Sequence, residues 1–388
     1  MLRLVPETEP ETRRDLRAMT SRLLGRELPD ERALEIDRTG GFDRGLWERL
    51  GTAGLLGLGA PEELGGSGGT VGDSVAVTEE IARVLPSLAV DHVLSGMAMR
   101  MLSEADAGPV SALLPEIAAG THVVSYGLSE PDVGTDLLRL RTSARYDGSR
   151  WLVNGRKTWI SLASEADTIF VLCRTDPLDP DHPSRGLSLL AVPADQPGVE
   201  VRRVHLAGMR AAVTCEVTLT DAVASDETPV GGRGRGLRIL SRALDVERVM
   251  AAAISIGIGR GALELHRDYA LQREAFGRRI GALQAIQHPL ADSAAELSAA
   301  RSLLDDTVRR IEDGRSSVAE SAMSKLVASE TTARIVDRGM RAMGAMGLAE
   351  ESRMQMFFRD ARLQLFSPIS NEMIRNLVGE ALGMPRSY

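Results

Sequence analysis

Residues Tyr126–Ser161, YGLSEPDVGTDLLRLRTSARYDGSRWLVNGRKTWIS, decide how this chain is read. A loop of small residues with acidic anchors (Ser129, Glu130, Asp132, Gly134, Thr135, Asp136) leads into two strand-like runs. Each run is broken by a turn dipeptide, Asp147-Gly148 or Asn154-Gly155, the strongest short-range hairpin signals a sequence offers. Gly134 lets the backbone approach a bulky ligand, and the hydroxyls of Ser129 and Thr135 suit phosphate and polar ring edges. Trp159 and Ser161 alternate with Ile160, so on a strand they share one face, a flat aromatic beside a hydroxyl. Taken by itself, the pattern favours a plain hairpin with a core tryptophan.

Outward from that stretch, the chain divides by periodicity. The part up to about Thr121 reads as helices joined by Gly/Pro loops, with Glu11 to Leu24 and Phe42 to Ala53 as amphipathic candidates. From Val123 to about Thr220, short β-branched runs lie between turn residues: Leu140–Tyr146, Thr168–Cys173, Leu187–Val192, Val199–Val204 and Thr214–Leu219. The glycine-rich run Gly231–Gly236 lacks a phosphate-loop pattern and reads as a linker. Helical periodicity then returns. Leu283, Leu290, Leu297, Leu304 and Ile311 form a sevenfold seam that Gly314 ends, and a second helix spans Val318 to Met343. The expected domains are 1–122, helical; 123–232, β; and 233–388, helical.

The 388 residues suffice for two or three domains, and a net charge of −8 without a basic cluster argues against nucleic acid. Six histidines and two cysteines, Cys173 and Cys215, show no ligand spacing, so no metal is expected. The start, MLRLVPETEPETRRDL, lacks the apolar run of a signal peptide, and no stretch is long enough to span a bilayer. A soluble cytoplasmic protein is the expectation.

The opening stretch resembles the flavin signature of the acyl-CoA dehydrogenase family. That signature is a Thr/Ser-Glu-Pro-x-x-Gly-Ser/Thr-Asp loop followed by an Asn-Gly-x-Lys-x-Trp/Phe-Ile-Ser/Thr strand. Ala60–Gly69 resembles the family's Val-Pro-Glu-Glu-x-Gly-Gly segment, and Arg273–Ile280 with Gln284 its Arg-x-x-Phe-Gly-x-x-Ile…Gln motif. The resemblance implies a multidomain α+β fold: an N-terminal helical domain, a central β-barrel-like domain and a C-terminal four-helix bundle. It also implies FAD. Leu128, Ser129, Gly134 and Thr135 would lie along the flavin and its pyrophosphate, with Trp159 and Ser161 by the ring. Arg273, Phe276 and Gln284 would reach a neighbouring subunit's adenosine diphosphate half. Arg341 and Gly344 belong to a partial Gln-x-x-Gly-Gly-x-Gly pattern; Arg341 replaces its glutamine and either meets phosphate or faces solvent.

In many family members the proton-abstracting glutamate sits in a C-terminal Tyr-Glu-Gly-Thr-Asn-Glu segment. The corresponding stretch is Leu365–Glu372, which puts Pro368 at the base position, where no proton can be accepted. Isovaleryl- and long-chain-type members carry the base in a Leu-Asp-x-Glu-Arg motif, matched by Leu244–Arg248. On a helix, Glu247's neighbours three and four residues away are Ala243, Leu244, Met250 and Ala251, all apolar, and Arg248 can pair with Asp245. The implied reaction is α,β-dehydrogenation of an acyl thioester, on coenzyme A or an acyl carrier protein. Glu247 would take the α-proton and flavin N5 the β-hydride. Arg248 and Ile369 are the expected substrate contacts, Ile369 offering the N–H that Pro368 lacks; Ser370 and Glu372 fall in the cofactor set. An electron-transfer flavoprotein or oxygen would reoxidise the flavin of a homo-oligomer, expected to be a tetramer. The rival on the same fold is a flavin monooxygenase, which needs no α-proton base.

Overall fold

Six helices open the chain: α1 (Glu11–Glu27), α2 (Asp30–Thr39), α3 (Arg44–Thr52), α4 (Val71–Ala82), α5 (Pro86–Glu104) and α6 (Leu114–Ala119). The computed structural model describes residues 9–104, 108–225, 228–315 and 317–386, the side chains of 242–245 excepted. Seven strands follow: β1 (Val124–Gly127), β2 (Ser143–Tyr146), β3 (Trp151–Ile160), β4 (Thr168–Arg174), β5 (Leu187–Pro193), β6 (Val199–Arg203) and β7 (Cys215–Val223). They form one mixed sheet in the order β1-β4-β2-β3-β7-β6, with β5 also paired to β4. Helix α7 (Gly236–Gln272) then leads through the two-residue strands β8 (Glu274–Ala275) and β9 (Arg278–Arg279) into α8 (Gln284–Glu312). The remaining helices are α9 (Val318–Met343), α10 (Ala345–Leu348), α11 (Arg353–Asp360) and α12 (Asn371–Ala381). Helices, sheet, helices is the order expected of the acyl-CoA dehydrogenase fold.

Local chemistry explains where these elements begin and turn. Thr70 and Asp73 cap α4 reciprocally, each side chain bonding the other's backbone N–H. Asp147 holds the β2–β3 turn by accepting the N–H groups of Ser149 and Arg150 at 3.0 Å each, as expected of Asp-Gly. Asn154-Gly155 behaves otherwise. It lies inside β3, where the register against β7 slips between Val153 and Gly155. Asn154 Nδ2 donates to Asp221 Oδ1 at 2.8 Å and Asn154 Oδ1 accepts from Asp221 N at 2.9 Å. A turn signal became a bulge because β7 keeps pairing with β3 beyond the point where β2 stops. The run expected from Leu140 is likewise strand only from Ser143.

The leucine seam behaves as core. Leu297 and Leu304 are buried on α8, and Leu290 and Ile311 pack against them; Leu283 stands just before the helix. Helix α4 is the hub of the helical layers. All twelve of its residues are buried, and it packs against α1, α5, α7 and α8. Glycines at 257 and 261 let α7 come this close, since a Cβ there would fall 2.5 Å from the Glu79 carbonyl oxygen and 2.6 Å from that of Arg83.

So deep a helix with two acids must import cations. Glu79 accepts from Arg17 Nη2 at 3.0 Å, from Arg260 Nη1 at 2.8 Å, and from Arg301. Glu80 accepts from Arg260 Nη1 at 2.7 Å and from Arg83 Nε at 3.1 Å. Burial pushes the Glu80 carboxyl up, but Arg260, Arg83 and Arg17 together bring it below its ordinary value. Burial lowers Arg301 to about 10, and Arg17 beside it acts in the same direction. Glu79→Ala should leave three buried guanidinium groups short of an anion and cost about 3–5 kcal/mol. A denaturant midpoint unchanged from the parent would contradict this.

Candidate active site

Glu247, about three turns into α7, faces a chamber walled by Leu55, Leu56, Thr78, His92, Met97 and Met250. The chamber is narrow, with about 20 Å³ open to the centre of a water-sized sphere. Glu247 itself is half-buried, and loss of hydration pushes its carboxyl up to about 7 against a smaller opposing pull from Arg248. Val246 and Met250 share the chamber wall, and Ala251 is buried beside them. The remaining expected neighbours, Ala243 and Leu244, and the Asp245 partner foreseen for Arg248, lie outside the described side chains; Arg248 itself is engaged.

Two groups that sequence reasoning missed bear on this site, His92 in the chamber wall and Tyr126 close to Glu247. His92 Nε2 lies 3.0 Å from the Leu55 carbonyl, which can only accept, so the ring nitrogen there carries the proton. Its Nδ1 then accepts from the Thr78 hydroxyl at 3.0 Å, and burial lowers the ring to about 4, leaving a neutral imidazole. Tyr126, at the end of β1, has a buried hydroxyl with no hydrogen-bond partner. Burial raises its pKa, and the charge of Glu247 raises it further, which sets the two groups near each other. Through Tyr126 the acid on α7 adjoins the loop at 128–136.

That loop is anchored by the lysine of the Asn-Gly-x-Lys-x-Trp pattern. Lys157, fully buried on β3, donates to the Leu128 carbonyl and to Glu130 Oε1, both at 3.0 Å. Glu130 also accepts the N–H groups of Arg141 at 2.7 Å and Thr142 at 2.8 Å. Ser129 gives its carbonyl to Thr158 N at 3.0 Å, while Gly134 and Thr135 are exposed. A Cβ built on Gly134 would meet nothing within 4 Å, so the loop presents open backbone.

Trp159 departs from expectation. A second register slip, between Lys157 and Ile160, puts it at φ 60° and leaves its ring 63% exposed, while Ile160 is buried. Ser161 lies past the strand end, its carbonyl accepting from Ser125 Oγ at 2.5 Å. Strand alternation therefore does not put Trp159 and Ser161 on one face; the bulge turns the indole outward instead.

The other expected residues fall into two groups. Arg273, Phe276 and Gln284 are exposed around β8 and β9 and the start of α8, Phe276 at φ 53° with 93% of its surface open. Arg341 is exposed and pairs with Asp337 at 2.8 Å, and Gly344 follows at the end of α9. The second group is the segment before α12. Ser370 caps that helix, accepting from Met373 N at 3.2 Å, and Glu372 is exposed in its first turn. Pro368 is exposed and Ile369 half-buried. Buried Lys325 donates to the Ile369 carbonyl at 2.8 Å and to Asn371 Oδ1 at 2.7 Å, burial lowering its pKa to about 8.

An acid facing an apolar chamber among α4, α5 and α7, in a chain ordered helices, sheet, helices, is matched by oxidoreductases that act on a CH–CH bond. Profiles of the acyl-CoA dehydrogenase N-terminal, middle and C-terminal domains match residues 10–121, 125–222 and 234–383, and the chain belongs to the acyl-CoA dehydrogenase family. It is 32% identical over 349 residues to acyl-CoA dehydrogenase FadE12 of Mycobacterium tuberculosis, covering 88% of this chain and 89% of that one. It is 29% identical over 376 residues to mitochondrial isovaleryl-CoA dehydrogenase of Pongo abelii, with 96% and 88% coverage. The solved acyl-CoA dehydrogenase of Geobacillus kaustophilus superposes with a TM-score of 0.91 at 28% identity, over 98% of this chain and 100% of that one. The family is one of flavoproteins, which implies a flavin; the open 128–136 loop and outward Trp159 fit such a group. Nothing in the site or in these relatives supports the oxygenase alternative. Among the described residues, no helix is long and apolar enough to cross a membrane and no cluster could hold a metal.

Lys325→Met should leave the Ile369 carbonyl and Asn371 without their charged donor. Amide hydrogen exchange over residues 369–374 should then rise about 10–100-fold, equivalent to the roughly 1.5–3 kcal/mol of a hydrogen bond to a charged group. Unchanged exchange would show that the segment is held by something else.

Proposed function

We propose that this chain is an FAD-dependent α,β-dehydrogenase of acyl thioesters in which Glu247 removes the α-proton. The observation that carries this reading is a half-buried carboxylate facing an apolar chamber, its pKa raised to about 7 by lost hydration. Such a group is basic enough to take a weakly acidic proton yet ionised in much of its population near neutral pH. A bound flavin supplies the hydride acceptor.

The chain's own residues do the rest. The walls formed by Leu55, Leu56, Met97 and Met250 grip the acyl chain and exclude water. Neutral His92 adds polarity to that wall without a charge to compete with Glu247. Ile369, its carbonyl drawn inward by Lys325, is the proposed N–H donor to the thioester carbonyl, with Arg248 a further substrate contact. Leu128, Ser129, Gly134, Thr135, Trp159 and Ser161 are the proposed flavin contacts, joined by Ser370 and Glu372. We take 1–122, 123–232 and 233–388 as the three domains. The carrier is coenzyme A or an acyl carrier protein, and the electron acceptor an electron-transfer flavoprotein or oxygen.

Glu247→Gln keeps volume and polarity but cannot accept a proton at neutral pH. Anaerobic bleaching of the flavin by a good thioester should slow by about 10²–10⁴-fold, the contribution of a positioned base. In the parent protein the base works only when ionised, so the rate should rise with pH through about 7 and level off above it. A Gln variant that bleaches as fast as the parent removes Glu247 from the mechanism.

Arg273, Phe276, Gln284, Arg341 and Gly344 are proposed to complete the site of a second copy in a dimer or tetramer. The nearly fully exposed Phe276 ring supports this, since a large apolar group so open to water is suited to a partner surface. Arg273→Ala should lower FAD retention after gel filtration, an arginine–phosphate contact being charge-assisted. Full retention by a monomer would refute it.

A further inference from the structure

The chamber that holds Glu247 carries a second charged group, for which α-proton chemistry has no use. Helix α5 turns Val93, Gly96, Met97 and Arg100 into it, the 3-to-4-residue spacing of one helix face. Three of those positions are small or apolar, as a site for a hydrocarbon requires. The fourth is an arginine.

Arg100 is poorly matched within the chain. Its side chain is only 21% exposed, and its one carboxylate among the described residues is Glu104, 3.5 Å from Nη1 and itself half exposed. A contact of that length lies at the limit of hydrogen bonding, and an open pair contributes little. Room is nonetheless kept for the guanidinium. Gly59, at φ 90°, lies beneath it, and a Cβ there would come within 3.2 Å of Nη2. A partly buried fork of five N–H donors, short of acceptors and turned into a substrate chamber, is suited to an anion brought by the ligand.

The helix also sets a length. His92 bonds Thr78, and Thr78 reaches Met250 one turn beyond Glu247, so His92 and the base lie at similar depth. Arg100 is eight residues farther along α5, about 12 Å at the α-helical rise. An extended acyl chain bridges that gap with on the order of six to ten carbons, the lower figure allowing for the reach of the arginine side chain.

We infer that Arg100 selects acyl thioesters whose chain ends in a carboxylate, at medium length, by pairing with that distal group while Glu247 meets the α-carbon. This deepens the proposed function and rests on its placement of the α-carbon. The two charges also enforce spacing. A shorter diacid would hold its free carboxylate nearer ionised Glu247 and away from Arg100, and like charges there repel. Among the described lining residues Arg100 is the only cation, so no second group competes for the anion.

The test is anaerobic flavin reduction of the holoenzyme by two series of coenzyme A thioesters, alkanoyl and ω-carboxyalkanoyl, from butanoyl to dodecanoyl. At one medium length the ω-carboxy member should exceed its alkyl counterpart in kcat/KM by about tenfold or more, the difference lying in KM because the contact is remote from the reacting atoms. Arg100→Met should abolish or reverse that preference, and Arg100→Lys should keep part of it. Equal or better use of alkyl thioesters by the parent at every length overturns the inference, and needs no variant to fold. A preference that survives Arg100→Met overturns it as well. Reduction by neither series overturns the reading of Glu247 and this one with it, whereas ready reduction by the alkyl series alone overturns only this one.

Discussion

The buried acids of α4 are the constraint on which the molecule's form depends. Glu79 and Glu80 sit where water does not reach, and arginines from α1, α7 and α8 must converge to neutralise them. Such a cluster contributes little net stability, since desolvation offsets much of the attraction. What it supplies is registry. Arg17, Arg260 and Arg301 can all reach Glu79 only if α1, α7 and α8 hold one rotation and one height against α4. The same turn of α4, on another side, places Thr78 against His92 and Met250, so the wall of the Glu247 chamber inherits its position from this ionic centre.

At the chamber, a single physical effect does two things. Withdrawing water from Glu247 raises its basicity, and the groups that withdraw it are those suited to holding a hydrocarbon chain. The flavin loop is held by the opposite strategy. Lys157 and Glu130 are buried as a pair, and Glu130 ties down backbone N–H groups at residues 141 and 142, so the exposed stretch around Gly134 is open but not loose. For Glu247 lost hydration outweighs the pull of Arg248, whereas Glu130 is given a buried cation of its own and becomes structural.

Much of this was legible in the residues, and the rest was hidden for definite reasons. Val318–Met343 was readable to the residue because its apolar period is uninterrupted and its ends carry turn chemistry. Glu247 was readable because its helical neighbours are apolar and its motif is distinctive. Helices α4 and α5 gave little boundary signal, since buried sides all round erase the contrast that marks an amphipathic helix. Asn154-Gly155 misled because a bulge and a hairpin turn ask for the same residues; only the partner strand decides between them. Lys325 and the His92–Thr78 pair were invisible because their importance comes from partners distant in sequence, and for the same reason the signature named Lys157 without revealing its bond to Glu130. Arg100 looked like any surface arginine of a helix.

Glu247, the proposed proton acceptor, rides on a helix of 37 residues packed against α4, α5, α8 and α9, not on a hinged loop. A carboxylate so mounted cannot swing to follow its substrate. On the proposed reading, only the α-hydrogen turned toward α7 would lie within its reach, with the opposite face of the acyl plane left to the flavin. Chirality would then be a matter of architecture. An α-branched thioester would be processed in one configuration, while its mirror image, entering the same chamber, would present its branch to Glu247 and stay unreacted.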